Sequence, residues 1–149
     1  MFRLMLFVAL VIAATSHAGA QGVAPAPPRD TGPAAVVREY VAAFNAKDLD
    51  AMMARVSPDF VWLYVKDDSV TVGGRGAEAF RGLLDRYFRE VPDARSELLD
   101  VKALGPWVTT HDQTRWTTSP SGAGGQASIA VYEVRDALVR RVWYYPALP

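Results

Sequence analysis

The stretch "AFRGLLDRYFREVPDARSELLDV", Ala79–Val101, changes its pattern in the middle, and that change decides the fold. Phe80, Leu83, Leu84, Tyr87, Phe88 and Val91 recur at intervals of three and four, so one face of a helix is apolar. Pro92 stops it, because a proline inside a helix removes a backbone donor and clashes with the preceding turn. Beyond it the spacing reads as strands. "ARSELLDVKAL" (Ala94–Leu104) is the first candidate, Gly105–Pro106 a turn, and "WVTTHDQTRW" (Trp107–Trp116) the second strand. "TTSPSGAGG" is a loop by composition. "QASIAVYEV" is a third strand, "RDA" a tight turn, and "LVRRVWYYP" a fourth.

Upstream, Pro33 is well placed as a first helical residue. Val37, Tyr40, Val41 and Phe44 then share one face, and "NAKD" ends the helix. Asp48 caps a short second helix, "LDAMMARV". Ser57–Asp59 is a turn, and "FVWLYV" (Phe60–Val65) has the aromatic and β-branched composition of a strand. "VKDDSVTVGGRG" returns as a hairpin whose glycines lead into the helix of the opening stretch. The order is helix, helix, strand pair, helix, then four strands. This predicts an α+β domain with helices laid on one face of a curved antiparallel sheet.

The chain has 149 residues, enough for one domain, and half of them are hydrophobic. The formal net charge is zero, which gives no sign of a nucleic-acid partner. There is no cysteine, so disulfides, thiolate metal sites and cysteine nucleophiles are excluded. The beginning has the pattern of a signal peptide: Arg3, the apolar run "LMLFVALVIAA", then small residues Ala18–Ala20, with cleavage expected before Gln21. The run is shorter than the roughly 20 residues of a spanning helix, so no stable membrane anchor is expected after cleavage. His17 would leave with the peptide, and His111 would be the one histidine of the mature chain. Residues 21–32, rich in Pro, Gly and Ala, are expected to be a flexible linker, and residues 33–149 the domain. The localisation expected is periplasmic or secreted.

Four stretches, "REYVAAFNAKDLDAMMARVSPDFVW", "GGRGAEAFRGLLDRYF", "WVTTHDQTRW" and "SIAVYEVRDALVRRVWYYP", resemble the nuclear transport factor 2-like superfamily. Its SnoaL-like polyketide cyclases and ketosteroid isomerases are the relevant branches. The resemblance implies a cone: a curved antiparallel sheet wrapped around N-terminal helices, with an apolar pocket, and often a homodimer. It does not name a function, because this fold hosts many chemistries. Ketosteroid isomerisation needs a carboxylate base and an oxyanion hole of a tyrosine and a protonated acid. Tyr40, eight residues before Asp48, matches the tyrosine. Tyr64 and Ala130 stand where the two acids are expected, so isomerisation by that mechanism is not supported.

The same resemblance turns Ser128, Ala130 and Tyr132 inward, with Val142 and Tyr144 on the last strand. On "VTTHDQTRW" it turns Val108, Thr110, Asp112, Thr114 and Trp116 inward and His111 outward, since neighbours in a strand face opposite ways. A slip of one residue sends His111, Gln113 and Arg115 inward instead. The candidate catalytic residues are Asp112 as base, Tyr40 and Tyr64 as donors, and His111. Trp62, Thr110, Trp116, Tyr132 and Tyr144 are the candidate pocket wall. Each has a plainer reading: Asp112 and His111 as surface strand residues, Tyr40 as a core tyrosine, the aromatics as core. Arg140 and Arg141 point opposite ways, one of them towards Glu133 across the hairpin, and Trp143 and Tyr145 decorate the outer face. "GGRG" lacks the Lys-Ser/Thr ending of a phosphate loop, no serine sits in a nucleophile elbow, and no metal or cofactor is expected.

The reading is an exported domain binding a small hydrophobic molecule, with cofactor-free acid–base catalysis of isomerase, cyclase, dehydratase or hydrolase type. The rival is a non-catalytic binding or dimeric interaction domain on the same scaffold. An open cavity around Tyr40, Tyr64 and Asp112 discriminates between them.

Overall fold

The computed structural model describes residues 31–146. The expected signal peptide, with His17, and the linker as far as residue 30 lie outside the described residues. Among the described residues no helix is long and apolar enough to cross a membrane.

Helix α1 (Pro33–Ala46) starts on its proline and ends at Lys47, which takes the left-handed conformation at φ 59°. The Lys47 ammonium turns back to the Phe44 and Ala94 carbonyls and lies 4.8 and 4.9 Å from the ring centres of Phe44 and Phe88. Helix α2 (Leu49–Met53) is capped by Asp48, whose carboxylate accepts from the Ala51 N–H at 2.9 Å. It is shorter than the sequence pattern suggested. The chain has already become strand β1 (Val56–Lys66) at Val56, through the Ser57–Asp59 segment read as a turn. Strand β2 (Ser69–Arg75) returns antiparallel, and Gly76, at φ 85°, opens helix α3 (Ala77–Glu90) while donating to the Phe60 carbonyl at 2.7 Å. Four strands follow: β3 (Arg95–Leu104), β4 (Trp107–Trp116), β5 (Gly124–Arg135) and β6 (Leu138–Pro146).

The six strands lie in the order β2-β1-β6-β5-β4-β3. The α+β class holds, with one refinement: β1 and β6 run parallel, and every other pair is antiparallel. The parallel pair skips register between Val56 and Val61, where Pro58 has no N–H for the ladder. Strand β5 begins two residues earlier than its composition suggested. A Cβ on Gly124 would stand 3.0 Å from the Trp116 ring, so glycine lets that ring lie across the strand.

The helices cover one face of the sheet. Phe60, Met52, Val37, Val108, Tyr132, Val139 and Val142 fill the space between them almost without exposure. Phe60 and Phe80 stack at 4.5 Å between β1 and α3. Asn45, near the end of α1, holds edge strand β3 by a reciprocal pair: its amide donates to the Ser96 carbonyl and its oxygen accepts the Ser96 N–H, both at 2.8 Å. This fixes the helix against the sheet beside the cavity described next.

Candidate functional site

Strand β4 alternates between exposed and buried residues with the period of two that a half-covered strand requires. Val108, Thr110, Asp112 and Thr114 face the helices, and His111 is exposed on the far side. Asp112 pairs in register with Leu98 on β3 and Ser128 on β5, so it sits inside the sheet rather than at an edge, and it is only 5% exposed.

Two tyrosines close over it. The Tyr132 hydroxyl on β5 donates to Asp112 Oδ2 at 3.3 Å, and the Tyr144 hydroxyl on β6 stands 3.3 Å from that of Tyr132. Asp112 Oδ1 and Thr110 Oγ1 are buried without a hydrogen-bond partner. Burial raises the Asp112 pKa above the ordinary carboxylate value, and the nearby Thr110 and Tyr132 hydroxyls and the His111 imidazole oppose it only in part. Among the described residues no cation touches the carboxyl; its contacts are hydroxyls. Burial also pushes Tyr40, Tyr132 and Tyr144 up, helped by the Asp112 charge, so all three stay neutral phenols at physiological pH.

Asp112, Tyr132 and Tyr144 form the floor of a cavity of about 430 Å³. Tyr40 and Phe44 of α1 and Phe80, Leu84 and Tyr87 of α3 wall it, with Trp62 and Tyr64 of β1. The wall is a continuous set of ring contacts: Trp62 to Tyr64 at 4.8 Å, Trp62 to Tyr144 at 5.8 Å, Tyr40 to Tyr132 at 6.2 Å. Trp62 Nε1 is buried with no acceptor. Arg86, Glu90 and Gln126 add polar groups to the lining.

The structure brings together most of the residues expected at the site, in altered roles. Asp112 faces inward, and Tyr40 and Tyr64 line the same cavity. Neither of those tyrosines hydrogen-bonds Asp112: Tyr40 packs by its ring, and Tyr64 is 41% exposed. The hydroxyl partner is instead Tyr132, which is bonded in turn to Tyr144; the sequence marked both only as wall. His111 is separated from Asp112 by the thickness of the sheet and is no part of this site. Thr110 is buried beside the carboxyl without lining the cavity. Trp116 lines a different, open groove with Asn45, Asp93 and Arg95. Phe80, Tyr87, Arg86 and Gln126 were not singled out as site residues. The periodicity of α3 marked Phe80 and Tyr87 only as an apolar face. Among the described residues no three His, Cys, Asp or Glu side chains converge as a metal site.

Comparison with known proteins agrees with this architecture. No curated protein matches the chain. Among solved structures, an uncharacterized cystatin fold protein from Novosphingobium aromaticivorans superposes with a TM-score of 0.68 at 21% identity, over 76% of this chain and 97% of that one. An LEH-like epoxide hydrolase from M. tuberculosis gives 0.65 at 20% identity, over 77% and 82%. An NTF2-like protein of unknown function from Burkholderia pseudomallei gives 0.65 at 15% identity, over 77% and 90%. These likenesses concern the fold. The family model of the SnoaL-like domain matches residues 37–142, from the first turn of α1 to the middle of β6. The chain therefore belongs to the SnoaL-like domain family.

Proposed function

We propose that the protein binds a small hydrophobic molecule in the aromatic-walled cavity and that Asp112 acts on it as a cofactor-free acid–base group. The observation that carries this is a buried carboxyl at the floor of a cavity, with hydroxyls and no cation for partners. Tyr132 and Tyr144 serve as donors beside it, in the roles first assigned to Tyr40 and Tyr64. Isomerisation, cyclisation, dehydration and hydrolysis all fit such a group. Native mass spectrometry of the protein purified from its own host tests the binding, with a retained small molecule expected. Once the molecule's class selects an assay, Asp112→Asn is expected to lower turnover by about 100-fold or more. Full turnover in that variant removes Asp112 from the chemistry.

A second reading, binding without conversion, is favoured by Tyr64 and Ala130 standing at the positions of the isomerase acids. Retention of an unchanged ligand through many cycles supports it.

The proposal includes export and a homodimer. The signal-peptide pattern of residues 1–20 supports export, and N-terminal sequencing of the protein from its host is expected to begin at Gln21. The outer sheet face supports the dimer: Trp107 and Trp143 stack at 5.8 Å, and Ile129 (54%), Tyr145 and Leu104 are exposed around them. Sedimentation is expected to give twice the chain mass, and Ile129→Arg to give the monomer.

A further inference from the structure

The floor of the cavity is a chain of three oxygen groups with only one end anchored. Asp112 Oδ2, the Tyr132 hydroxyl and the Tyr144 hydroxyl follow one another at 3.3 Å and 3.3 Å. Tyr144 is the member farthest along from the carboxyl, and it lines the cavity. A phenol has one proton to give and lone pairs to receive, so each tyrosine passes a hydrogen bond on in a single direction. The direction is set at the Asp112 end.

A carboxylate only accepts. With Asp112 ionised, Tyr132 gives its proton to Asp112 and Tyr144 gives its proton to Tyr132. Tyr144 then faces the cavity as a lone pair. A neutral Asp112 has a proton of its own to give, and the chain can run the other way: carboxyl to Tyr132, Tyr132 to Tyr144, Tyr144 to whatever lies in the cavity. No heavy atom moves. The carboxyl gains one proton and the two phenol hydrogens turn round.

From this geometry we infer that the cavity takes a ring-bearing ligand with one oxygen at the Tyr144 hydroxyl, and that the protonation state of Asp112 selects the kind of oxygen: an alcohol or phenol when ionised, a ketone when neutral. The inference rests on the reading of the cavity as a ligand site. Trp62 supports the ring: its indole and the rings of Tyr64 and Tyr144 form one apolar wall beside that oxygen.

Other groups around the chain leave the assignment to Asp112 intact. Tyr40 faces it from α1, and its pKa is raised by burial, as are those of Tyr132 and Tyr144. At the rim, Tyr64 and Tyr87 are raised as well, and Arg86 and Glu90 complete the charged lining. His111 lies on the opposite face of the sheet. Glu90 and His111 are retained in Asp112→Asn, so that variant separates any contribution of theirs.

The test uses 1-naphthol and 1-tetralone, which carry a hydroxyl or a carbonyl on the same carbon of a similar bicyclic skeleton. Dissociation constants of both are measured by calorimetry for the purified protein from about pH 4 to about pH 8, where both probes are neutral. As pH rises, naphthol is expected to gain on tetralone by about threefold to tenfold, the size of one hydrogen bond made or lost. The change should vanish in Asp112→Asn, and Tyr144→Phe should bind both probes with one pH-independent ratio. Binding of both probes with a flat ratio in the unaltered protein overturns the inference and leaves the ligand site standing. Binding of neither overturns the inference and the ligand site together. A ratio whose pH dependence survives in Asp112→Asn assigns the effect to a group other than Asp112 and overturns the role of the chain.

Discussion

Two carboxyl groups are buried on the two faces of the same sheet, and they are held in opposite ways. Glu133 on β5 is 6% exposed on the outer face, and Asp112 on β4 is 5% exposed on the inner face. Each Glu133 oxygen has its own guanidinium: Arg135 Nε donates to Oε1 at 2.7 Å, and Arg141 donates to Oε2 at 3.2 Å. Asp112 has one phenol at 3.3 Å and an oxygen with no partner. Nearly equal burial therefore produces two different groups. Glu133 is compensated charge, a tie between the β5–β6 hairpin strands. Asp112 is uncompensated, and desolvation moves it towards its neutral form. A paired carboxylate in a sheet is structural; one left among hydroxyls beside an open cavity is available for chemistry.

The largest effect should come from making Glu133 resemble Asp112. Replacing both guanidiniums, Arg135→Met with Arg141→Met, leaves a buried carboxylate unpaired. The expected loss is about 2–3 kcal/mol at pH 7 by urea denaturation, moderated because both arginine side chains are half exposed. Next comes Tyr132→Phe, which deprives Asp112 of its donor and should cost about 1.5 kcal/mol at pH 7. That deficit should shrink in acid, where the carboxyl is neutral.

Asp112→Asn sharpens the comparison from the other side. Because the folded protein holds the Asp112 pKa above its unfolded value, its favourable contribution is fully present below the ordinary carboxylate pKa and is lost as pH rises through the folded value. The variant should therefore gain on the order of 1 kcal/mol over the unaltered protein at pH 7. It should lose the advantage in acid, as followed by thermal midpoints across pH. The smallest effect lies at the turn joining the strands of Glu133 and Arg141. Asp136 and Ala137 both have positive φ, 53° and 59°, in a two-residue hairpin loop. Alanine is strained there and glycine is not, so Ala137→Gly should stabilise by about 0.5–1 kcal/mol, read as a rise in thermal midpoint. An unchanged midpoint would mean that the turn tolerates the side chain without strain.

Much of this was legible in the chain. The three-and-four spacing of Phe80 to Phe88 marked α3, and the alternation of Val108 to Thr114 marked β4, while the family resemblance turned Asp112 inward. A Glu133–arginine pair across the hairpin was expected, and the register selects Arg141 over Arg140 for it. The errors have a common form. Helix α2 is shorter and β1 starts earlier than the sequence suggests, because Ser57–Pro58 reads locally as a turn while the pairing partner of Val56, Val139, lies far along the chain. Tyr40 and Tyr64 were the expected donors to Asp112, and Tyr132 is the donor found.

The sequence by itself determined most of the elements and their apolar faces, because periodicity and turn chemistry act between residues a few positions apart; the family came from the resemblance of four longer stretches. It also determined that a single aspartate on β4 would stand opposite its histidine neighbour. Only the tertiary structure decided what that aspartate meets. Tyr132 is 20 residues from Asp112 in the chain, and Tyr144 is 12 further on. Whether the Tyr132 hydroxyl reaches the carboxyl, and that of Tyr144 reaches Tyr132, depends on strand order and register across three strands. The parallel closure of β1 on β6 likewise brings Trp62 and Tyr64 to the same wall. Hydrogen bonds form over 3 Å and fail over 5 Å, a tolerance that only the packed sheet resolves.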